Sequence, residues 1–164
     1  MVKINKKKES LLTLVAFVIM SICILFLRNA TINDISMEPT LNNKDIVLVD
    51  FTYKINKLKR YDLVIIKDKT KKYIKRVIGL PGETIEIKDG NVYIDNVHIE
   101  DNYKKGHTTH EDGDFKIILG ENEYYVLGDN REYSYDSRKM GVIDKNKIIG
   151  RAWFKIYPLP FKKI

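Results

Sequence analysis

The chain opens with one long apolar run and continues with short alternating runs. Residues 11–27 read LLTLVAFVIMSICILFL, without a charged side chain. At about 1.5 Å per residue, a helix of this length spans roughly 26 Å, near the lower limit for crossing a hydrocarbon core. The run also lacks the polar stripe of a helix that packs on a soluble core. It predicts a transmembrane anchor at 11–28, between a basic N-terminus at 1–10 and a body at 29–164.

Beyond residue 28, apolar and polar side chains alternate over short stretches, as they do along strands with one buried face. Asp89-Gly90 lies inside one stretch and Pro81-Gly82 lies between two others, and both dipeptides favour tight turns. The body is therefore predicted to be one mainly β, antiparallel domain with a polar, variable insertion at 95–122. The predicted strands are 46–51, 61–67, 73–80, 84–94, 124–128 and 148–157.

The net charge of +7 bears on topology more than on a binding partner. Residues 1–28 hold five Lys or Arg against one Glu, whereas the body is only mildly basic and has interleaved charges without a basic stripe. No nucleic acid partner is therefore predicted. Basic residues before the span place the N-terminus in the cytoplasm and the body outside. A cleavable secretory signal is the alternative, but Arg28 would stand where a cut after Ala30 needs a small residue.

Two segments of the body contain groups suited to nucleophilic chemistry. Ser36 opens SMEPTL, eight residues after Arg28, and a loop serine or helix N-cap is the alternative. Lys75 lies in the apolar strand YIKRVIG, in which Lys75 and Arg76 point to opposite faces. One of these cations must therefore face apolar surroundings, although an exposed lysine is the simpler reading. Burial lowers the pKa of a lysine and allows it to act as a neutral base.

A third segment, GDNREYSYDSR at 128–138, combines Asp, Asn, Arg and Ser directly after a predicted strand. It indicates either an ion-paired connection between strands or a polar network that orients a catalytic group. His107 and His110, followed by Glu111, Asp112 and Asp114, could be drawn as a metal site. An exposed polar loop is favoured, because such a loop seldom holds ligands in fixed geometry. No metal or organic cofactor is predicted.

Together, the three segments resemble those of type I signal peptidases, the membrane-anchored serine proteases that remove signal peptides from exported proteins. The matching stretches are SMEPTL at 36–41, YIKRVIGLPGE at 73–83 and GDNREYSYDSRKMG at 128–141. Their order and spacing and the small size resemble the Gram-positive, single-anchor form. The resemblance implies an antiparallel β-sheet catalytic domain of the signal-peptidase/LexA-like kind.

The resemblance also implies roles for individual residues. Ser36 would be the nucleophile and Lys75 the general base of a Ser-Lys dyad. Ser134 would hydrogen-bond the Lys75 amine. The supporting polar network would comprise Asp129, Arg131, Asp136 and Arg138. Candidate substrate-binding residues are Ile32, Met37, Tyr73 and Ile74.

The implied partners are exported preproteins, cut after small residues at −3 and −1, and the lipid bilayer. The implied state is a monomeric, single-pass protein of the cell membrane. Two alternatives stay open: a dedicated peptidase for one exported or pilin-like substrate, and a non-catalytic, membrane-anchored assembly factor. The second would be expected to lack Ser36 or Lys75, and both are present.

The chain departs from the family pattern at three positions. Asp34 stands two residues before Ser36, where the family often has Ser, Thr or Gly. A carboxylate facing a developing oxyanion would be destabilising, so either Asp34 points away or the loop differs. The Ser36 N–H would remain the main oxyanion donor. Lys44 and Tyr61 replace glycines before Asp45 and Asp62, and we expect altered turns there.

Overall fold

The computed structural model describes residues 6–52, 57–110, 113–158 and 160–164, and it describes only the backbone at 6, 7 and 22–28. Two parts of the predictions lie outside the described residues. These are residues 1–5 of the basic N-terminus, and the pair Glu111 and Asp112 of the metal alternative.

The apolar run near the N-terminus forms helix α1, Lys6–Phe26, which leads directly into strand β1, Leu27–Thr31. The large apolar side chains between Leu11 and Met20 are 46% to 67% exposed, so they are not part of the domain core. Among the described residues, no helix combines the length and the apolar character needed to cross a membrane.

The body is mainly β, as predicted, and every strand pair is antiparallel. A short helix, α2, spans Ser137–Met140. The strands that follow β1 are β2 Ile46–Asp50, β3 Leu63–Asp68, β4 Lys71–Gly79, β5 Thr84–Lys88, β6 Asn91–Ile94, β7 Val97–His98, β8 Phe115–Ile118, β9 Glu123–Leu127, β10 Ile143–Asp144, β11 Ile148–Tyr157 and β12 Lys162–Lys163.

The strands form two sheets. The larger has the order β1-β2-β11-β3-β4-β9-β10, with β12 paired to β11, and the smaller has the order β7-β6-β5-β8. The predicted hairpin at Asp89-Gly90 is confirmed, since β5 and β6 pair across it with Lys88 opposite Asn91. Both turn residues have positive φ, at 50° and 76°, as the two central residues of a type I′ turn require.

The segment at 95–122, predicted as a polar, variable insertion, contributes β7 and β8 to the smaller sheet. In β8, Phe115 and Ile117 are half-buried while Lys116 and Ile118 are exposed. This alternation covers four residues within a polar stretch. Strand β8 pairs with β5, whose residues lie about 30 positions earlier in the chain. Local periodicity does not reveal a partner at that distance.

The loop that carries Ser36 rests on one of the three hydrophobic clusters of the body. Met37 and Leu41 are completely buried there and pack with residues of β2, β3 and β4. Met37, a candidate substrate-binding residue, has no exposed side-chain surface in this structure. Its side chain is a core anchor that fixes the loop position immediately after Ser36.

The positions that replace glycines keep a backbone conformation that glycine adopts easily. Lys44 and Tyr61 both have φ of 72°, in the left-handed region that is unfavourable for most side chains. At Tyr61 the ring lies 5.6 Å from that of Tyr103 and the hydroxyl donates to the Glu100 carbonyl, contacts that offset the strain.

Candidate active site

Ser36 and Lys75 meet at the junction of a loop and a central strand. The Lys75 Nζ donates hydrogen bonds to Ser36 Oγ at 2.6 Å and to the Ile74 carbonyl at 2.9 Å. Ser36 follows β1, and Lys75 lies in the middle of β4, 39 residues later. Lys75 is 1% exposed and Ser36 is 4% exposed. The structure therefore brings together the two residues predicted as nucleophile and base, shielded from water.

The surroundings of Lys75 favour its neutral form. Burial is the largest influence and lowers its pKa below the ordinary lysine value. The carboxylates of Asp34, Asp136 and Asp129 act in the opposite direction, while Arg138 adds to the lowering. Because the net shift is downward, the amine can hold a free electron pair at a lower pH than an exposed lysine can.

The neighbour of Lys75 on the strand is held by a buried ion pair. The Arg76 guanidinium donates to both carboxylate oxygens of Asp129, at 2.7 and 2.6 Å, and stacks 3.7 Å from the Tyr103 ring centroid. Thr40 Oγ1 donates to the same carboxylate at 2.5 Å. The sequence analysis missed Arg76 and Thr40. Their place within two of the matching segments is the signal that could have found them.

A second buried pair holds the segment that follows β9. Asp136 accepts hydrogen bonds from the Gly128 N–H at 2.9 Å and from Arg138 at 2.9 and 2.8 Å. Burial alone would raise the pKa of Asp136, but the bonds from Arg138 and the charge of Arg138 hold it below its usual value. Asp136 therefore stays ionised and fixes the backbone at Gly128.

Arg131 connects this segment to the insertion at 95–122. Its Nε donates to the Gly128 carbonyl at 2.9 Å, and its terminal nitrogens contact Asp101 and Thr108. The ion pair with Asp101 is almost completely buried. The sequence analysis missed Asp101 and Thr108, because nothing in a polar insertion indicates a partner 30 residues away. One part of the insertion thus supports the site.

The supporting network reaches Ser36 through the backbone. The Asn130 N–H donates to the Ser36 carbonyl at 3.0 Å, and the Asn130 side-chain amide donates to the Ile35 carbonyl at 3.2 Å. Asn130 lies between Asp129 and Arg131. The ion pairs of these two residues, with Arg76 and with Asp101, therefore hold the loop that carries Ser36. The network is well suited to keep this serine in a fixed position.

Ser134 does not make the predicted hydrogen bond to the Lys75 amine. Lys75 donates instead to Ser36 and the Ile74 carbonyl. The buried Ser134 hydroxyl lies near enough to Asp136 to contribute to its lowered pKa, yet it forms no hydrogen bond of good geometry with any described residue.

Gly128 lies where the two active-site segments touch most closely. A Cβ at this position would be 2.2 Å from Ser134 Oγ and 2.6 Å from the Ser36 carbonyl oxygen. We expect Gly128→Ala to displace the Ser36 loop and to lower kcat by about 100-fold, as small misplacements of catalytic groups do. Peptidase assays beside Gly120→Ala, whose added Cβ would meet only the flexible side chain of Glu123 at 3.2 Å or more, measure this effect. Unchanged kcat in Gly128→Ala would contradict it.

A cleft of about 970 Å³ opens between β1 and the first half of β4, and it reaches the residues next to the dyad, Asp34 and Ile74. Ile32, Tyr73 and Ile74, the candidate substrate-binding residues, line it together with Asp34 and exposed Lys71 and Lys72. Among the described residues, β1 pairs only with β2, and positions 71–75 of β4 pair only with β3. Two free strand edges therefore face the cleft, a suitable arrangement for an extended peptide.

Asp34 does not point away from Ser36. Its Oδ1 accepts a hydrogen bond from the Ser36 N–H at 2.9 Å and from the Ser36 hydroxyl at 2.6 Å. This is the local pattern that Asp side chains form with the residue two positions later. Asp34 thus engages both the serine hydroxyl and the backbone donor expected for the oxyanion.

No group of three or more His, Cys, Asp or Glu side chains in the described part of the chain is arranged to hold a metal ion. His110 stacks on Phe115, with ring centroids 4.1 Å apart. His107 lies against Gly90 in the turn of the β5–β6 hairpin.

Comparison with known proteins identifies the family. Residues 6–157 match the model of "Signal peptidase, peptidase S26". The chain is 36% identical to signal peptidase I S of Bacillus subtilis, over 94% of this chain and 93% of that protein. It is 34% identical to signal peptidase IB of Staphylococcus aureus, over 88% and 85%.

A solved structure agrees with these sequences. The crystal structure of a signal peptidase I from Enterococcus faecalis is 31% identical and superposes with a TM-score of 0.51, covering 58% of this chain and 97% of that one. The chain belongs to the peptidase S26 family and is a type I signal peptidase, a hydrolase that processes signal peptides.

Proposed function

We propose that this peptidase cleaves exported preproteins by a Ser-Lys dyad, with Ser36 as nucleophile and Lys75 as general base. The observation that carries the proposal is the 2.6 Å contact between Lys75 Nζ and Ser36 Oγ, made by a lysine that is 1% exposed. Burial lowers the pKa of Lys75, which supplies the neutral amine that this role needs. The reaction requires no metal or organic cofactor.

The reaction proceeds in two steps. The neutral Lys75 amine accepts the hydroxyl proton while Ser36 Oγ attacks the scissile carbonyl, and it then passes that proton to the leaving amine. An acyl-enzyme on Ser36 results. In the second step Lys75 takes a proton from water as the water attacks the ester. The bond between the acyl carbon and Ser36 Oγ then breaks, Lys75 returns the proton to Ser36 Oγ, and the signal peptide is released. The Ser36 N–H stabilises the oxyanion in both steps, supported by the Asp129 and Asp136 networks that fix the loop.

The cleft provides for an extended substrate. A peptide strand can hydrogen-bond to the free edges of β1 and β4, while its side chains meet the apolar surface of Ile32 and Ile74. We propose that the branched side chains of Ile32 and Ile74 leave only shallow pockets at the end of the cleft next to the dyad, which accept only small side chains at −1 and −3.

The N-terminal segment supports membrane attachment. Residues 11–27 carry no charge, and the large apolar side chains from Leu11 to Met20 are exposed rather than packed on the domain. We propose that residues 11–28 anchor a monomeric enzyme as a single span. The lysines before the span hold the N-terminus in the cytoplasm, and the catalytic domain lies outside the membrane. Anchoring places Ser36 near membrane-bound preproteins.

The substrate itself tests the proposal. The full chain in detergent is expected to cut a preprotein after an Ala-x-Ala site, and mass spectrometry of both products locates the cut. Replacing the −1 alanine by phenylalanine should reduce cleavage at that bond by at least about 100-fold, because the proposed pocket is too shallow for a large side chain. The matched control substrate carries phenylalanine at −2. Equal cleavage of the −1 variant would contradict the proposed specificity.

A further inference from the structure

The hydroxyl of Ser36 donates its hydrogen bond to Asp34 in this structure. As a carboxylate, Asp34 has no hydrogen to donate, so the 2.6 Å contact between its Oδ1 and Ser36 Oγ contains the serine hydrogen. Lys75 Nζ must then act as the donor in its own 2.6 Å contact with the same Oγ. The bond between serine and lysine thus has the opposite direction to the one that general-base catalysis needs.

The same carboxylate oxygen engages the backbone donor of the reaction. The Ser36 N–H is bonded to Asp34 Oδ1 at 2.9 Å, so it is unavailable to an oxyanion. A negative charge at this place would also oppose the negative charge that develops on the substrate. With Asp34 in this position, Ser36 is well placed but unreactive.

We propose that Asp34 is a specificity-determining residue, which keeps Ser36 unreactive until a peptide long enough to fill the cleft displaces its carboxylate. The proposal rests on the proposed function of Ser36 and Lys75. Asp34 lines the same cleft as Ile32 and Ile74 and is exposed. A displaced carboxylate therefore enters water, and an extended substrate can use the binding energy of its remote residues for this displacement. A small acyl donor lacks that binding energy.

The charge of Asp34 also affects the proton affinity of Lys75. The groups that face Lys75 come from three places: Asp34 after β1, Asp129 after β9, and Asp136 with Arg138 at the start of α2. Of the three carboxylates that raise the pKa of Lys75, Asp34 has the largest effect. Removing its charge lowers that pKa further. The acidic limb of the rate profile then moves to lower pH, since activity needs the neutral amine.

Two substrates separate these effects. The small one is p-nitrophenyl acetate, whose carbonyl carbon forms a bond to Ser36 Oγ. The serine proton passes to Lys75, and the bond to p-nitrophenolate breaks, leaving acetyl-Ser36. The large one is the preprotein with its Ala-x-Ala site. Intact-mass measurement of acetyl-Ser36 and release of p-nitrophenolate report on the serine without any need for signal peptide recognition.

In the full chain, Asp34→Ser is expected to raise the acetylation rate of Ser36 at least about tenfold. The Ser36 N–H and hydroxyl no longer donate to a carboxylate, so they can serve the oxyanion and Lys75. Preprotein kcat/KM should rise clearly less, since that substrate already displaces Asp34. Asp34→Asn keeps an acceptor oxygen without the charge. It should therefore move the acidic limb to lower pH with a smaller gain in rate.

Asp114→Ser, which removes an exposed carboxylate outside the cleft, controls for net charge, and Ser36→Ala in the Asp34→Ser background controls for acetylation elsewhere. Acetylation that stays equal or falls in Asp34→Ser, an unmoved acidic limb, or equal gains for both substrates would overturn the proposal. If the wild type cleaves no preprotein while acetylation of Ser36 still rises in Asp34→Ser, the proposed substrate is wrong and the action of Asp34 on Ser36 stands.

Discussion

Lys75→Met is expected to reduce preprotein cleavage by about 10²–10⁴-fold, the range over which a positioned general base contributes. Methionine has a similar length and fits buried, apolar surroundings, but it cannot accept the Ser36 proton. Because burial already lowers the pKa of Lys75, the loss of its charge should leave the fold intact. The kcat of purified full-length variants measures the loss, and near-UV circular dichroism checks the fold.

The matched control is Lys67→Met, which alters an exposed lysine on the neighbouring strand β3. It should cleave at the wild-type rate. Ser36→Ala should be as inactive as Lys75→Met, and the double variant no worse than either, because the two residues act as one unit. Substantial cleavage by Lys75→Met would exclude Lys75 as the base.

The pH dependence of the wild type provides an independent measure of the same residue. The amine of Lys75 must be neutral to accept a proton, so activity should appear as pH rises through its pKa. That pKa lies below the ordinary lysine value, and the acidic limb should accordingly lie well below the pH at which an exposed lysine titrates. A rate that follows an exposed lysine would contradict a buried base.

Asp129→Leu is expected to lower the free energy of unfolding by about 3–5 kcal/mol, the range for leaving one partner of a buried ion pair without the other. Arg76 and Asp129 are 1% and 0% exposed and form a two-bond contact. Removing the carboxylate leaves the Arg76 guanidinium buried without its counter-ion. Urea titration followed by near-UV circular dichroism measures this loss.

The double variant Arg76→Met with Asp129→Leu shows whether the loss of stability comes from a buried Arg76 cation without a counter-ion or from lost side-chain contacts. Without the cation, the apolar replacement should recover a large part of the stability. Asp114→Asn, at an exposed site, should unfold like the wild type. A double variant less stable than Asp129→Leu would show that Arg76 contributes chiefly by its contacts with Tyr103 and Thr40.

The longer strands of the larger sheet could be predicted from their runs of apolar residues, with the exception of β1, whose residues include part of the predicted anchor. The run at 148–157 corresponds to β11, and the run at 46–51 contains β2. The short pieces β7, β8, β10 and β12 could not be predicted in this way. They have two to four residues each, so their formation depends on a partner strand rather than on their own pattern.

The candidate site shows the same division between local and distant information. Three motifs were sufficient to nominate Ser36 and Lys75, and the fold places the two side chains in contact. Their catalytic roles remain predictions. Three features depend on packing between segments that are distant in sequence. They are the burial of Met37, the lack of a hydrogen-bond partner at Ser134 Oγ among the described residues, and the ion pair between Arg131 and Asp101. No residue pattern encodes such distances.

The sequence by itself determined the family, the mainly β architecture and the residues of the candidate dyad, because motif order and strand periodicity are local properties of the chain. Only the tertiary structure decided how Lys75 is buried, which carboxylates surround it and where Asp34 points. These depend on segments far apart in sequence, since the pKa of a lysine and the direction of a hydrogen bond are set by neighbours in space.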